Sequence, residues 1–357
     1  MILLLCFIFI IGLVIGSFLN VVILRTVSGE SIAFPGSKCP KCQTPLKWYH
    51  NMPVLSYIFL RGKCAFCHEH ISIQYPIVEL LTGILFTIFG FIYLILPLYS
   101  SYGYNILYIY MLIFSLIAVS LFIVISGTDI KEMMVADKHT ISLIATGFIY
   151  SIIVGSMGFY NEFKYGFVKI MLLLTPVLFT VLSAIIAFIF MEVLRRGSSF
   201  ILKTETFGDG DSYIFAGVAS VVTALFGGYN FLYILFTLLC LFVLSVVISV
   251  VVTLPLFIKN LVIEKKYYLL CLTTAFIIFA ACYFYVQTTA LFANTAVLII
   301  CTAILVVLAI ALCFELLKGI KNKKEFASVI PFGPSLVSAG LIALIVMPFL
   351  FRIINLS

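Results

Sequence analysis

The sequence predicts an all-α polytopic membrane protein of about ten transmembrane helices, with one small cytoplasmic loop built on four cysteines. Three observations carry this expectation. Hydrophobic residues make up 64% of the 357 and charged residues only 10%, whereas soluble domains run near half apolar with about a quarter charged. The apolar residues fall in runs long enough to cross a bilayer, which takes about 20 residues because a spanning helix must satisfy its own backbone. The Lys and Arg residues gather in alternate connections between those runs.

Ten runs qualify: 1–24, 76–98, 104–126, 140–158, 167–193, 212–227, 229–258, 268–287, 290–317 and 335–353. The first has neither a basic leading segment nor a small-residue cleavage site, so it reads as an uncleaved spanning helix. The expected organisation is a first helix (1–24), a polar loop (25–75), a transmembrane core (76–227), an added hairpin (229–287) and a C-terminal pair (290–357). With the first helix starting outside, the inward connections hold 18 of the 21 Lys and Arg, leaving Lys164, Lys169 and Arg352 elsewhere. That asymmetry is the positive-inside pattern, and it accounts for the net charge of +7 without a nucleic-acid partner.

The loop 25–75 is the one large polar segment. Cys39-Pro-Lys-Cys42 and Cys64-Ala-Phe-Cys67 form two Cys-x-x-Cys pairs. Each can offer two thiolates from one tight turn, and together they complete a tetrahedral zinc shell. Structural disulfides are disfavoured in a reducing compartment. A loop this small also has little apolar area to fold on, so a metal would supply its stability. His50, His68 and His70 read as surface imidazoles, because four cysteines already fill the shell. Cys6, Cys240, Cys271, Cys282, Cys301 and Cys313 sit singly in apolar runs and read as small hydrophobes.

Acids are scarce enough that those beside lipid stand out. Asp129 ends one apolar run, where a carboxylate meets the unfavourable end of the helix dipole, and an ionisable group so placed is a candidate functional residue. Asp137 precedes the next run and suits a helix N-terminus. The stretch Phe207-Gly-Asp-Gly-Asp-Ser212 places Asp209 and Asp211 at the mouth of the shortest run. Its glycines permit positive φ, so a tight, exposed turn is expected. Asp209 is the more exposed acid and Asp211, which enters the helix, the better partner for Asp129. Two carboxylates brought together cannot both ionise cheaply, which is the aspartic-protease arrangement for splitting an amide with water.

With these residues assembled, the chain resembles the bifunctional type IV prepilin leader peptidase and N-methyltransferase family, a Gly-x-Gly-Asp group of intramembrane aspartic proteases. The resemblance runs through Gly12 to Arg25, Phe34 to Cys42, Trp48 to Tyr57, Arg61 to Cys67, Ile71 to Glu79, the Asp129 segment, Gly208-Asp-Gly-Asp211 and Ile330-Pro-Phe-Gly-Pro334. It implies a bacterial inner-membrane enzyme whose Asp129 and Asp211 remove the basic leader of prepilins or pseudopilins at the cytoplasmic face. It further implies methylation of the new amino terminus from S-adenosylmethionine, with Glu79 as the candidate cofactor residue, and zinc on Cys39, Cys42, Cys64 and Cys67. Glu30, Glu69, Glu132 and Asp137 are candidates to meet the leader's positive charge. Two positions depart from the family pattern: Ala136 stands where proline is common, and Tyr213 where lysine often follows the turn. The rival readings are a Gly-x-Gly-Asp protease without methyl transfer, a membrane thiol-redox protein using the Cys pairs, and a transporter with acids at mid-membrane.

Overall fold

The computed structural model describes residues 1–34, 36–99, 106–132, 137–164, 170–202, 208–226, 231–264 and 332–356. Among these the chain is helical, with two isolated antiparallel bridges, Lys38 to Pro45 and Lys63 to His70, in place of any strand. We number the helices α1 (Ile2–Ser28), α2 (Leu55–Phe59), α3 (Gln74–Gly90), α4 (Ile106–Glu132), α5 (Asp137–Lys164), α6 (Ile170–Leu202), α7 (Asp209–Phe226), α8 (Phe231–Glu264) and α9 (Gly333–Leu356).

Five of them are long and apolar enough to cross a membrane: Ile2–Ser28, Gln74–Leu98, Ile106–Lys131, Lys138–Met157 and Leu174–Phe200. Shorter apolar stretches follow at Thr237–Ser249 and Gly333–Pro348. Eight of the ten expected runs therefore fall on helices, while 268–287 and 290–317 lie outside the described residues, as does most of the second half of the expected 229–287 hairpin.

Local chemistry sets several ends. Gly29 closes α1 in the left-handed conformation (φ 70°), and its amide donates back to the Arg25 carbonyl, the glycine cap that satisfies a terminal carbonyl. Beyond Gly90, α3 widens into a π turn over Phe91–Ile95 and tightens over Leu96–Tyr99. Pro97 explains the change, since it has no N–H to give and its ring crowds the carbonyl four residues earlier.

Packing follows from small residues. A Cβ on Gly12 would lie 2.7 Å from Gly83 Cα, and one on Gly16 would lie 2.7 Å from Glu79 Cα. Glycines four apart thus let α1 and α3 touch backbone to backbone, the usual source of helix association where lipid removes the hydrophobic drive. Helix α7 packs against α5, α6 and α9 and is buried on almost every side, from Asp211 through Phe226. A helix apolar all round belongs in the interior. It is the shortest expected run and also the central one, and it carries the acids.

Candidate active site

Helix α4 runs to Glu132, so Asp129 occupies its last turn; α7 begins at Asp209, so Asp211 occupies the first turn of that helix. Helices α5 and α6 make one antiparallel excursion between them, which returns the chain to the same end of the bundle. Both carboxylates are buried, at 5% and 6% exposed, and they are close enough for Asp211 to feel the charge of Asp129.

The Gly-Asp-Gly-Asp stretch does not take the positive φ that its glycines permit, although Gly208 and Asp209 are exposed as expected. Among the described residues positive φ occurs at Gly29 and Gly62 but not at Gly208 or Gly210, and Asp209 to Asp211 are already helical. The reason is a capping arrangement. The Gly208 amide donates to Asp211 Oδ2 at 3.1 Å, and the Asp211 amide donates to the Gly208 carbonyl at 3.2 Å. An acid in the third helical position that reaches back to the cap amide is half of a capping box, and the N-terminal dipole favours an anion there. Asp209 is exposed as expected, at 86% of its side chain. It is not free, however, because Arg195 of α6 pairs with it and with Glu192. Glu192 in turn accepts from Arg196 and, at 3.4 Å, from the Ser212 hydroxyl.

Asp129 is held differently. Its Oδ2 is buried and has no hydrogen-bond partner among the described residues. The start of α9 lies against it: a Cβ on Gly333 would come 2.5 Å from that oxygen and 2.8 Å from Ile214 Cδ1. Only a glycine leaves the carboxylate its space. Gly333 stands in the Ile330-Pro-Phe-Gly-Pro334 motif, and no residue-level argument from sequence tied that motif to Asp129, because nothing local links positions two hundred residues apart. The substituted positions differ in what can be said: Tyr213 is partly exposed and its ring lies 5.1 Å from that of Phe188, while Ala136 lies outside the described residues.

The Cys loop is built from two matching knuckles. In the first, Cys39 N–H donates to Thr44 O and Gln43 N–H to Cys39 O; in the second, Cys64 N–H donates to Glu69 O and His68 N–H to Cys64 O. The residue after each pair, Gln43 or His68, takes φ of 58°, which turns the chain so that both sulfurs of a pair face the same way. All four Sγ atoms lie within 4.8 Å of one another, with Cys39 and Cys67 at 3.9 Å. Tetrahedral zinc with bonds of about 2.3 Å places its sulfurs roughly 3.8 Å apart, so the cluster fits that ion. The histidines are outside the metal-ready group among the described residues.

The thiols are tuned unequally. The Thr44 hydroxyl and amide lower Cys42 to about 6, and the amides of Cys67 and Phe66 lower Cys64. For Cys67 the Glu69 amide pulls down, but burial and the three neighbouring thiols outweigh it and push the group up to about 11. Four thiolates cannot crowd together without a cation to balance them.

Arg25 joins this loop to the bundle. It is a buried cation at the end of α1 that donates to the carbonyls of Ser31, Ile32 and Gly36, so it orders the approach to Cys39 rather than simply marking orientation. Glu79 pins the other side. Buried on α3, it accepts the Val54 amide on Oε2 at 2.7 Å. Val54 has φ of 60°, costly for a β-branched residue, and the bond to Glu79 offsets that cost. The structure therefore gives Glu79 a loop-holding contact.

Comparison with known proteins bears on this arrangement. The model of the bacterial peptidase A24 N-terminal domain matches residues 10–93, taking in the Cys loop and Glu79 but neither aspartate. The chain is 29% identical over 221 residues, 61% of its length, to the prepilin leader peptidase/N-methyltransferase of Myxococcus xanthus, of which the match takes in 56%. It is 34% identical over 152 residues to the protein of that name from Klebsiella pneumoniae, 41% of this chain and 61% of that one. The type 4 prepilin-like proteins leader peptide-processing enzyme of an enterotoxigenic Escherichia coli is 32% identical over 229 residues, 59% of this chain and 74% of the relative. The chain belongs to the prepilin leader peptidase family. It spans little more than half the length of the first two relatives. No solved structure matches it.

Proposed function

We propose that this family member is a membrane-embedded aspartic endopeptidase of the bacterial inner membrane, which removes the basic leader from prepilins or pseudopilins at the cytoplasmic face. The observation that carries the reading is the meeting of Asp129 and Asp211, two buried carboxylates from separate helices within electrostatic reach of each other. Each keeps capacity for a water or an amide: Asp129 Oδ2 has no partner among the described residues, and the Gly208 amide engages Asp211 through Oδ2. With the scissile amide between them, one carboxylate accepts a proton from water while the other gives one to the leaving amine. The relatives' names support prepilins as the substrate class.

In this reading the four cysteines hold zinc as a structural ion, which supplies four-fold coordination and stability to the loop and no chemistry to the cleavage. Methylation of the new amino terminus from S-adenosylmethionine is the second proposed activity, supported by the names of the relatives. Glu79 would contribute to it by holding the loop through Val54.

The test is a reconstitution of the full chain with candidate precursors and mass measurement of the product's amino terminus. Substantial cleavage by both the Asp129→Asn and Asp211→Asn variants would falsify the carboxylate assignment. Cleavage without transfer of a labelled methyl group would reduce the reading to a peptidase alone.

A further inference from the structure

We infer that α2 and Trp48 of the Cys loop form an interfacial anchor that lies on the bilayer surface among anionic headgroups. The first observation is the patterning of α2. Leu55, Ile58 and Phe59 are spaced three and four residues apart and so share one face, and all three are exposed, Phe59 at 81%. Tyr57 points the other way, with its ring against Gly62 inside the loop. Trp48, at 79% exposed, and Met52 are further exposed apolar side chains just before the helix. An exposed Trp and three large aliphatic or aromatic residues on a five-residue helix have no counterpart to cover them in the loop itself.

The second observation fixes the height of this face relative to the membrane. Val54, which immediately precedes α2, is tied to Glu79. Glu79 lies roughly 7 Å into α3 at the helical rise of about 1.5 Å per residue, and α3 is a membrane-crossing helix from Gln74 onward. Exposed Ile73, Ile77 and Leu80 show that α3 already presents apolar surface at that level. The bond thus draws α2 down beside the helix end, where it cannot stand clear of the bilayer.

Charge supplies the third. Lys47, Arg61 and Lys63 are exposed and border the apolar residues in the chain. Aromatic and aliphatic side chains flanked by cations are the composition of segments that lie in the interface plane and bind anionic lipid. A bilayer surface matches both halves of this chemistry. The inference does not depend on the proposed peptidase activity.

The chain contains a single tryptophan, Trp48, so its fluorescence reports on this face without substitution. In the full-length protein in nanodiscs, the anchor predicts a blue-shifted emission that is quenched by nitroxides near the headgroup end of the acyl chain and shielded from aqueous iodide. Quenching should strengthen with the anionic lipid fraction and weaken in the Phe59→Asp variant. Iodide quenching equal to that of free tryptophan would overturn the inference in favour of a solvated loop. Protection from both quenchers would overturn it in favour of a protein cover, such as the substrate or a second copy. Lipid quenching indifferent to headgroup charge would overturn the electrostatic half.

Discussion

The Cys loop and the carboxylate site lie at the same end of the bundle, where Thr26 at the end of α1 meets His139 at the start of α5 at 3.2 Å. They are assembled by opposite means. The loop's ligands come from two short knuckles closed by hydrogen bonds between residues no more than nine apart. The carboxylates come from α4 and α7 and are brought together by helix packing, with α9 closing over Asp129 and Asp211 also capping its own helix at Gly208. Disturbing the loop should therefore leave the carboxylates in place, and the reverse should hold.

The largest expected effect separates the two regions. Asp129→Asn and Asp211→Asn should each lower leader cleavage by at least about a hundredfold, the usual scale for losing a general acid or base, while metal analysis still finds one zinc per chain. Loss of zinc in either variant would show that the two regions depend on each other. Conversely, Cys39→Ser should abolish stoichiometric zinc, measured by elemental analysis, and raise proteolysis of the loop without unfolding the helices.

Next is Gly333→Ala. Its Cβ must displace the Asp129 carboxylate or Ile214, and overpacking of this kind costs about 1–3 kcal/mol. Cleavage should fall well below wild type in an otherwise inserted protein, read as a drop in kcat with zinc content unchanged. Wild-type cleavage would show that α9 does not position Asp129.

A pH titration sharpens the loop side. Ligand thiols must be deprotonated to bind metal. Cys42, held near 6, is mostly thiolate at neutral pH, whereas Cys67, pushed to about 11, keeps its proton until the metal displaces it. Zinc affinity measured against a chromogenic chelator should rise with pH above neutrality and fall as acid protonates Cys42 near pH 6. The smallest effect is expected from Asp209→Asn. Its pairing with Arg195 is exposed, and exposed pairs contribute about 0–1 kcal/mol, so cleavage should change no more than severalfold.

What each region required explains how far the sequence could be read. The spacing of Cys39, Cys42, Cys64 and Cys67 contains the metal-ready cluster almost in full, because each knuckle is local. The pairing of Asp129 with Asp211 was expected from the alternation of cationic connections and from the family resemblance, which place both acids at one face but set no distance. The positive φ that Gly208 and Gly210 permit is not used for a physical reason: the Asp211 carboxylate caps the helix, so the stretch is helical from Asp209 while Gly208 and Asp209 stay exposed. Gly333 and Arg195 were visible in a motif and in the cation count, but nothing in the sequence tied them to the carboxylates, nor Val54 to Glu79.

The sequence by itself determined an all-helical membrane chain, the metal-ready loop and the short list of acids, since hydropathy, spacing and charge are properties of neighbours along the chain. Tertiary structure alone decided that α7 is the central helix, that Asp129 and Asp211 share one buried site, and that Gly333 makes room beside it. Those facts depend on how close separate helices approach, and close approach is set by packing between surfaces far apart in sequence.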